Sequence, residues 1–124
     1  MNPSTTTLAE PQRPATVPRR ADRHGVTVVI EVHGELDLLT APRLRALLMT
    51  VLASRPALLV IDLLAAESVG VSGLAVLAEA RQVAGERTRL RVIAAEPVAR
   101  LLRLTGMDNL DERSDGRVVI GSDR

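Results

Sequence analysis

The sequence predicts a single α/β domain, in which a mixed, mostly parallel sheet of four to five strands has helices packed against it. Short aliphatic and β-branched runs alternate along the chain with longer segments of helical periodicity, and only a few residues connect them. Strand, helix, strand order with short connections requires parallel crossovers, which bring helices against a sheet. A chain of 124 residues with 46% hydrophobic content is the size of one such domain.

The domain is predicted to occupy residues 23–124, after a disordered tail at residues 1–22. The tail contains few large apolar side chains and a run of three threonines, and it holds four of the seven prolines. A segment of this composition buries too little apolar surface to offset the entropy lost on ordering.

The first predicted strand covers residues 26–32, where β-branched residues alternate in the period of a strand. After a bend at residues 33–35, Thr40 is expected to cap a helix that has Pro42 in its first turn. That helix should end near Ser54, because one apolar stripe at helical spacing runs through Leu44, Leu47, Leu48, Val51 and Leu52.

Residues 57–64 form a nearly continuous apolar run, which predicts a central parallel strand buried on both faces. A turn and a helix at about residues 72–84 follow, with Gly85 closing the helix. A third strand is predicted at residues 90–95 and a third helix at 97–105. Leu110 and the run at 118–120 are candidates for an edge strand.

The composition excludes several kinds of chemistry. The chain has no Cys, Lys, Phe, Trp or Tyr, and its net charge is only +1. It therefore lacks a thiolate nucleophile, a P-loop lysine and aromatic platforms for stacking bases. No apolar run reaches the length of a membrane span. We expect a cytoplasmic protein with no metal or other cofactor and no nucleic-acid or membrane partner; its oligomeric state is left open.

The turn before the second helix, ESVGVSGLAVL at residues 67–77, raises a functional question. Ser72 lies where that helix should begin, and the plainest interpretation is a capping residue between two glycines, Gly70 and Gly73, that permit a tight turn. A nucleophilic serine would need one more residue in the Gly-x-Ser-x-Gly spacing and a base from His24 or His33. Phosphorylation is the third interpretation, because a helix amino terminus favours phosphate while the added charge repels a docked surface.

A pair of carboxylates for acid–base catalysis can be drawn from Asp37, Asp62 and Glu67. Nothing in their spacing fixes a catalytic separation. Asp62 is interpreted as the end of the central strand, and Asp37 as either a turn residue or part of a functional surface.

Several motifs together resemble a known family. The segments GELDLLTAPRL (34–44), LLVIDL (58–63) and SGLAVL (72–77) resemble the STAS domain, in particular bacterial anti-sigma factor antagonists, and the likeness continues through LRVIAAEPVARLLRLTGMDNL (90–110). It covers roughly residues 25–111. The resemblance implies a STAS-like single domain that binds an anti-sigma factor, often a serine protein kinase, and so releases a sigma factor for transcription.

The resemblance also bears on the turn. Phosphorylated members read Asp-Ser-Ser-Gly-Leu or Asp-Ser-Thr-Gly-Leu there, and the first hydroxyl residue is the usual acceptor. Here Gly70 and Val71 replace that Asp and that acceptor, so Ser72 is the remaining candidate phosphoacceptor, and the usual phosphoserine switch is in question. The partner-binding residues that the resemblance implies are Asp37, Ser68, Gly70, Val71, Ser72, Gly73 and Leu74.

The leading hypothesis is therefore a non-enzymatic anti-sigma factor antagonist. A small-molecule or nucleotide sensor that uses the same helix amino terminus is the alternative from another class. A serine hydrolase is the third.

Overall fold

A central sheet and three helices account for most of the computed structural model, which describes residues 19–22, 25–105, 110–112 and 118–121. Within these ranges the elements, in chain order, are β1 (Arg19–Asp22), β2 (Gly25–Glu31), β3 (Gly34–Leu36), α1 (Ala41–Ala53), β4 (Leu58–Asp62), β5 (Ala66–Val69), α2 (Val71–Ala84), β6 (Arg89–Ala94), α3 (Val98–Leu104), β7 (Leu110–Glu112) and β8 (Val118–Gly121).

The main sheet has the strand order β1-β2-β4-β6-β8-β7. Strands β2, β4 and β6 pair in parallel, whereas β1, β8 and β7 join by antiparallel pairing. The predicted α/β class and mixed sheet are confirmed, with a parallel centre. Within the described residues the sheet has six strands instead of four to five. Of the two segments proposed for its edge only β7 lies there, because β8 inserts between β6 and β7.

The additional strand at the other edge is β1, which lies entirely inside the predicted tail, so the prediction of disorder was wrong for residues 19–22. Arg19 pairs with Val28 and Asp22 with Gly25, so β1 and β2 form a hairpin. No apolar alternation marks residues 19–22, because an edge strand gains its order from backbone hydrogen bonds to its neighbour. Residues 1–18 of the predicted tail lie outside the described part of the chain.

One apolar core joins the sheet to the helices. Alternate residues of the central strands are buried, including Val28, Ile30, Leu59 and Ile61, and they pack in one cluster with the apolar stripes of all three helices. The other face of β4 is only half-buried. The prediction that β4 is buried on both faces was therefore wrong: a continuous apolar run does not reveal that helices cover one side alone.

A second, two-stranded sheet sits beside the first. Strands β3 and β5 pair in parallel, with Glu35 opposite Ser68 and Leu36 opposite Val69. The sequence indicated only a bend and a turn here, because strands of three and four residues are too short to display alternation. The pairing continues past the strand ends, where the Gly70 amide donates to the Leu36 carbonyl at 2.9 Å.

This small sheet brings together the loop before α1 and the turn before α2. Helix α1 has Pro42 in its first turn, as predicted. Helix α2 ends at Ala84 and is capped by Gly85, as predicted; the φ of Gly85, 54°, is in the left-handed region that favours glycine. It begins at Val71 with Gly70 as the N-cap, so the prediction that Ser72 caps the helix was wrong.

Candidate functional site

The candidate site is a cleft at the ends of β3 and β5, where α1 and α2 begin. Its volume is about 440 Å³, and its lining comes from two segments that lie more than thirty residues apart in the chain: Asp37, Leu38, Leu39, Gly70, Val71 and Ser72. The β3–β5 pairing holds these segments side by side. Four of the seven residues proposed for partner binding, Asp37, Gly70, Val71 and Ser72, therefore line one surface.

Asp37 organises the loop that leads into α1. One of its carboxylate oxygens, Oδ1, accepts hydrogen bonds from the backbone amides of Leu39 at 2.9 Å and Thr40 at 3.2 Å. These bonds, led by the one from the Thr40 amide, hold the pKa of the Asp37 carboxyl below its ordinary value of 3.8. The carboxylate is therefore ionised at neutral pH and is engaged with its own loop.

Thr40 completes this turn from the other side. It occupies the N-cap position of α1, as predicted, but its hydroxyl makes no capping bond to the helix. Instead the hydroxyl donates to the Glu35 carbonyl at 2.8 Å and accepts from the Asp37 amide at 2.9 Å. The loop is thus closed by bonds between Glu35, Asp37 and Thr40, and its intervening residues project outward.

Those outward residues are apolar. Leu38 is 79% exposed, Leu39 is 78% exposed, and Val71, across the cleft, is 83% exposed. Single exposed apolar residues are ordinary on protein surfaces, but a group of large ones around a concave surface is typical of an interaction site. We call this group, Leu38, Leu39 and Val71, the apolar rim.

The glycines of the turn have structural roles. Gly73 is buried, and a Cβ atom there would lie 2.7 Å from Cγ and Cδ2 of Leu36. Glycine thus lets the first turn of α2 approach β3 closely. Gly73 lies beneath the rim, so any contribution it makes to binding is indirect. At Gly70 a Cβ would meet only the Leu36 carbonyl oxygen, at 3.7 Å.

Ser72 is the second residue of α2 and is half-buried at the cleft. Its hydroxyl makes no hydrogen bond to another described residue. Of the other proposed binding residues, Ser68 is exposed on β5, and Leu74 is half-buried and packs against the core. Ser68 and Ser72 are thus the hydroxyls that the structure leaves accessible along this edge.

The residues considered for catalysis that lie in the described part of the chain have other contacts or are exposed to solvent. The His33 imidazole pairs with the Glu31 carboxylate, and the Asp62 carboxylate accepts the Leu64 amide at 2.9 Å. Glu67 is exposed on β5, and His24 lies outside the described residues. Within the described part of the chain, no three His, Asp or Glu side chains group in a way that would hold a metal ion.

The described helices also include none that combines the length and apolar character needed to span a bilayer. The residues that sequence reasoning missed are Leu38 and Leu39. The available signal was a pair of leucines between Asp37 and the Thr40-Ala-Pro42 helix start, where a turn cannot bury both of them.

Comparison with known proteins agrees with this architecture. A family model described as "Mlab, STAS domain" matches residues 20–114. The chain therefore belongs to the STAS domain family, and the resemblance noted in its motifs is confirmed.

The chain is 39% identical over 89 residues to the anti-sigma-F factor antagonist RsfB of two Mycobacterium tuberculosis strains, covering 71% of this chain and 72% of each relative. A solved structure of an anti-sigma factor antagonist from Mycobacterium paratuberculosis is 37% identical, with a TM-score of 0.65. That likeness covers 75% of this chain and 79% of the other. All three of these relatives are thus named as antagonists of anti-sigma factors.

Proposed function

We propose that this STAS-domain protein is an anti-sigma factor antagonist that works as a non-enzymatic binding module, and that its apolar rim is the centre of the surface that docks on the anti-sigma factor. One observation carries the proposal: three large apolar side chains, each at least 78% exposed, surround a cleft at the edge where β3 and β5 end. Occupying the anti-sigma factor in this way releases a sigma factor for transcription.

The energetics of the rim suit a reversible complex. Burying a Leu or Val side chain contributes about 1.5–3 kcal/mol, so Leu38, Leu39 and Val71 together supply a substantial share of a docking energy. The Asp37 turn fixes the two leucines before binding, which lowers the entropy lost on association. Ser68, Gly70 and Ser72 would border the contact, while Gly73 and Leu74 support it from below.

The rim residues can be tested with purified proteins. Isothermal titration calorimetry of the anti-sigma factors encoded in the source genome should identify one that binds the wild-type chain. Val71→Asp should weaken that complex at least about tenfold, because it places a charge in a desolvated apolar contact. Since Val71 is exposed in the free protein, the thermal unfolding of Val71→Asp should differ little from that of the wild type.

Val83→Asp is the matched control, because Val83 lies in the same helix and is 51% exposed, away from the cleft. It should leave the affinity unchanged. Equal weakening by both substitutions would contradict the assigned surface, and failure of the wild type to bind any of these anti-sigma factors would contradict the proposed function.

A kinase-type anti-sigma factor is the finer proposal for the partner, with Ser72 as the candidate acceptor. Two features support it: Ser72 lies at the amino end of α2, where free backbone amides favour a phosphate, and its hydroxyl is not engaged with any other described residue. Incubation with the partner and ATP should raise the intact mass by one phosphate. The rise should be absent in Ser72→Ala and retained in Ser68→Ala; an unchanged wild-type mass would contradict this assignment.

We also place this activity in the cytoplasm, where sigma factors and RNA polymerase meet. The proposed mechanism needs no metal or other cofactor, because the chain contributes only a complementary surface. It involves neither nucleic acid nor membrane as a partner, since the rim is apolar and the chain has no Phe, Trp or Tyr ring on which a base could stack.

A further inference from the structure

We infer that the surface recognised by the apolar rim is a protein patch with an apolar centre and a border of arginine or lysine side chains. The inference rests on the proposed function and specifies the chemistry of the partner. It is carried by the charges that surround the rim.

The two segments that build the site are uniformly acidic. Residues 34–40 and 66–74 contain three ionisable side chains, Glu35, Asp37 and Glu67, and no cation. Glu35 and Glu67 are exposed on β3 and β5. Each strand ends at one of the two segments that line the cleft, so the two exposed carboxylates lie within four residues of the rim along the chain.

Pairing within the site does not cancel these charges. Asp37 accepts its hydrogen bonds from backbone amides and from the Thr40 hydroxyl, which are neutral groups, so its carboxylate keeps its full negative charge. Arg43, the next ionisable residue in α1, already has an interaction of its own. Arg43 lies outside the two segments, whose own ionisable side chains are all acidic.

One effect at the site favours an anion, and it is the weaker one. The amino end of α2 carries a partial charge of about +0.5 from the helix dipole, which acts only over the first turn. Three full carboxylate charges outweigh it. A nucleic acid or an anionic lipid surface docked over the whole rim would meet net repulsion, whereas guanidinium and ammonium groups would be attracted. A single phosphate on Ser72 would still be met by the free backbone amides in the first turn of α2.

The arrangement makes a kinetic prediction. Charges at the border of an interface act mainly on the association rate and on its salt dependence, while the apolar centre determines how long the complex lasts. The Glu35→Gln/Glu67→Gln variant keeps the shape of the border and removes two charges. It should slow association severalfold at low ionic strength, where charges act over about 30 Å, and approach the wild-type rate in high salt.

Stopped-flow association with the anti-sigma factor identified by calorimetry tests this directly. Glu86→Gln is the matched control, because Glu86 is exposed beyond the opposite end of α2, and its association rate should equal that of the wild type. Far-UV circular dichroism and thermal unfolding of each variant verify the fold.

An unchanged or faster rate for the double variant, with wild-type binding still lost in Val71→Asp, would overturn the basic border and leave the proposed function standing. Absence of wild-type binding would overturn both. Single-stranded DNA and phosphatidylglycerol vesicles serve as anionic probes: neither should bind, and binding of either that disappears in Val71→Asp would also overturn the inference.

Discussion

At one edge of the molecule, two pairs of neighbouring residues each have one buried and one exposed member. Leu36 is fully buried, while Leu38, two positions later, is 79% exposed. Val71 is 83% exposed, while Gly73, also two positions later, is buried against Leu36. One buried layer, made by Leu36, Val69 and Gly73, thus lies directly beneath the apolar rim.

Residue type alone does not determine the role of a side chain here. Leu36 ends strand β3 and faces the core, whereas Leu38 lies in the turn closed by Asp37 and faces solvent. The buried layer supports the two segments that line the cleft, and the rim is the surface that we propose for binding. Substitutions should therefore separate stability from binding according to layer.

The largest effect on stability is expected from Leu36→Ala. Removing a fully buried leucine costs roughly 2–5 kcal/mol of unfolding free energy, because the cavity is only partly refilled. Leu38→Ala should change that free energy by no more than about 0.5 kcal/mol, since the side chain is already in water. Urea unfolding of both variants measures the difference, and similar losses would contradict the two-layer description.

The next largest effect is expected from Gly73→Ala. The added Cβ would lie 2.7 Å from two atoms of Leu36 and 3.1 Å from Cγ1 of Val69. Overpacking costs about 1–3 kcal/mol, more than the roughly 1 kcal/mol that alanine gains over glycine in a helix.

Gly70→Ala is the control for this substitution. Its Cβ would make only an ordinary contact with the Leu36 carbonyl oxygen, and its extended backbone, with φ of −88°, suits any residue. Thermal unfolding should show a clearly lower midpoint for Gly73→Ala and a smaller decrease for Gly70→Ala, because alanine is a poorer N-cap than glycine. A Gly73→Ala protein as stable as the wild type would mean that Leu36 can move aside.

A smaller and pH-dependent effect is expected at Asp37. Because its pKa is lowered on folding, ionised Asp37 stabilises the folded state at pH values above the ordinary 3.8, and this contribution is lost as the pH falls through the lowered pKa. Asp37→Asn retains an acceptor oxygen but no charge. The melting temperature of the wild type should exceed that of Asp37→Asn at neutral pH, and the gap should close in acid.

The melting temperature of Glu86→Gln over the same pH range provides the reference for the destabilisation that acid causes while the Asp37 side chain is unchanged. A gap for Asp37→Asn that persists unchanged into strong acid would show that shape, and not charge, holds the turn. The measurement shows how Asp37 holds the turn that carries the exposed leucines. In the buried layer the corresponding role belongs to Gly73, which packs against Leu36.

The smallest effect is expected from Arg45→Gln. Arg45 in α1 makes two hydrogen bonds to Glu79 in α2, at 2.8 and 2.7 Å, on an exposed surface. Exposed ion pairs contribute little and are screened by salt. A slight drop in melting temperature at low salt, absent at high salt, is expected. A decrease in melting temperature approaching that of Gly73→Ala would show that this ion pair contributes strongly to the contact between α1 and α2.

Periodicity in the sequence was sufficient to predict the central elements. Strands β2, β4 and β6 and the three helices each bury enough apolar surface to leave a pattern, and the connections between them are short enough to require parallel pairing. Strands β1, β3 and β5 left no comparable pattern, because their order comes from backbone bonds to segments that folding brings near. The number of strands was underestimated for the same reason.

The sequence pointed to part of the candidate cleft. The motifs pointed to Asp37 and to the turn around Val71 and Ser72, and the structure places these in one cleft. The capping role of Ser72 was wrong, since the backbone of Gly70 begins the helix, and the leucines of the rim were missed. Exposure of a leucine depends on how neighbouring segments pack, and a local pattern does not contain that information.

By itself, the sequence determined the class of the fold, the absence of thiol, lysine and aromatic chemistry, and the family to which the chain belongs, because composition and periodicity are properties of the chain alone. The tertiary structure decided which face each of these residues presents. The parallel pairing of β3 with β5 joins segments about thirty residues apart, buries Leu36 beside Gly73, and leaves Leu38, Leu39 and Val71 in water around one cleft. Burial is a property of packed neighbours, and those neighbours exist only once the chain has folded.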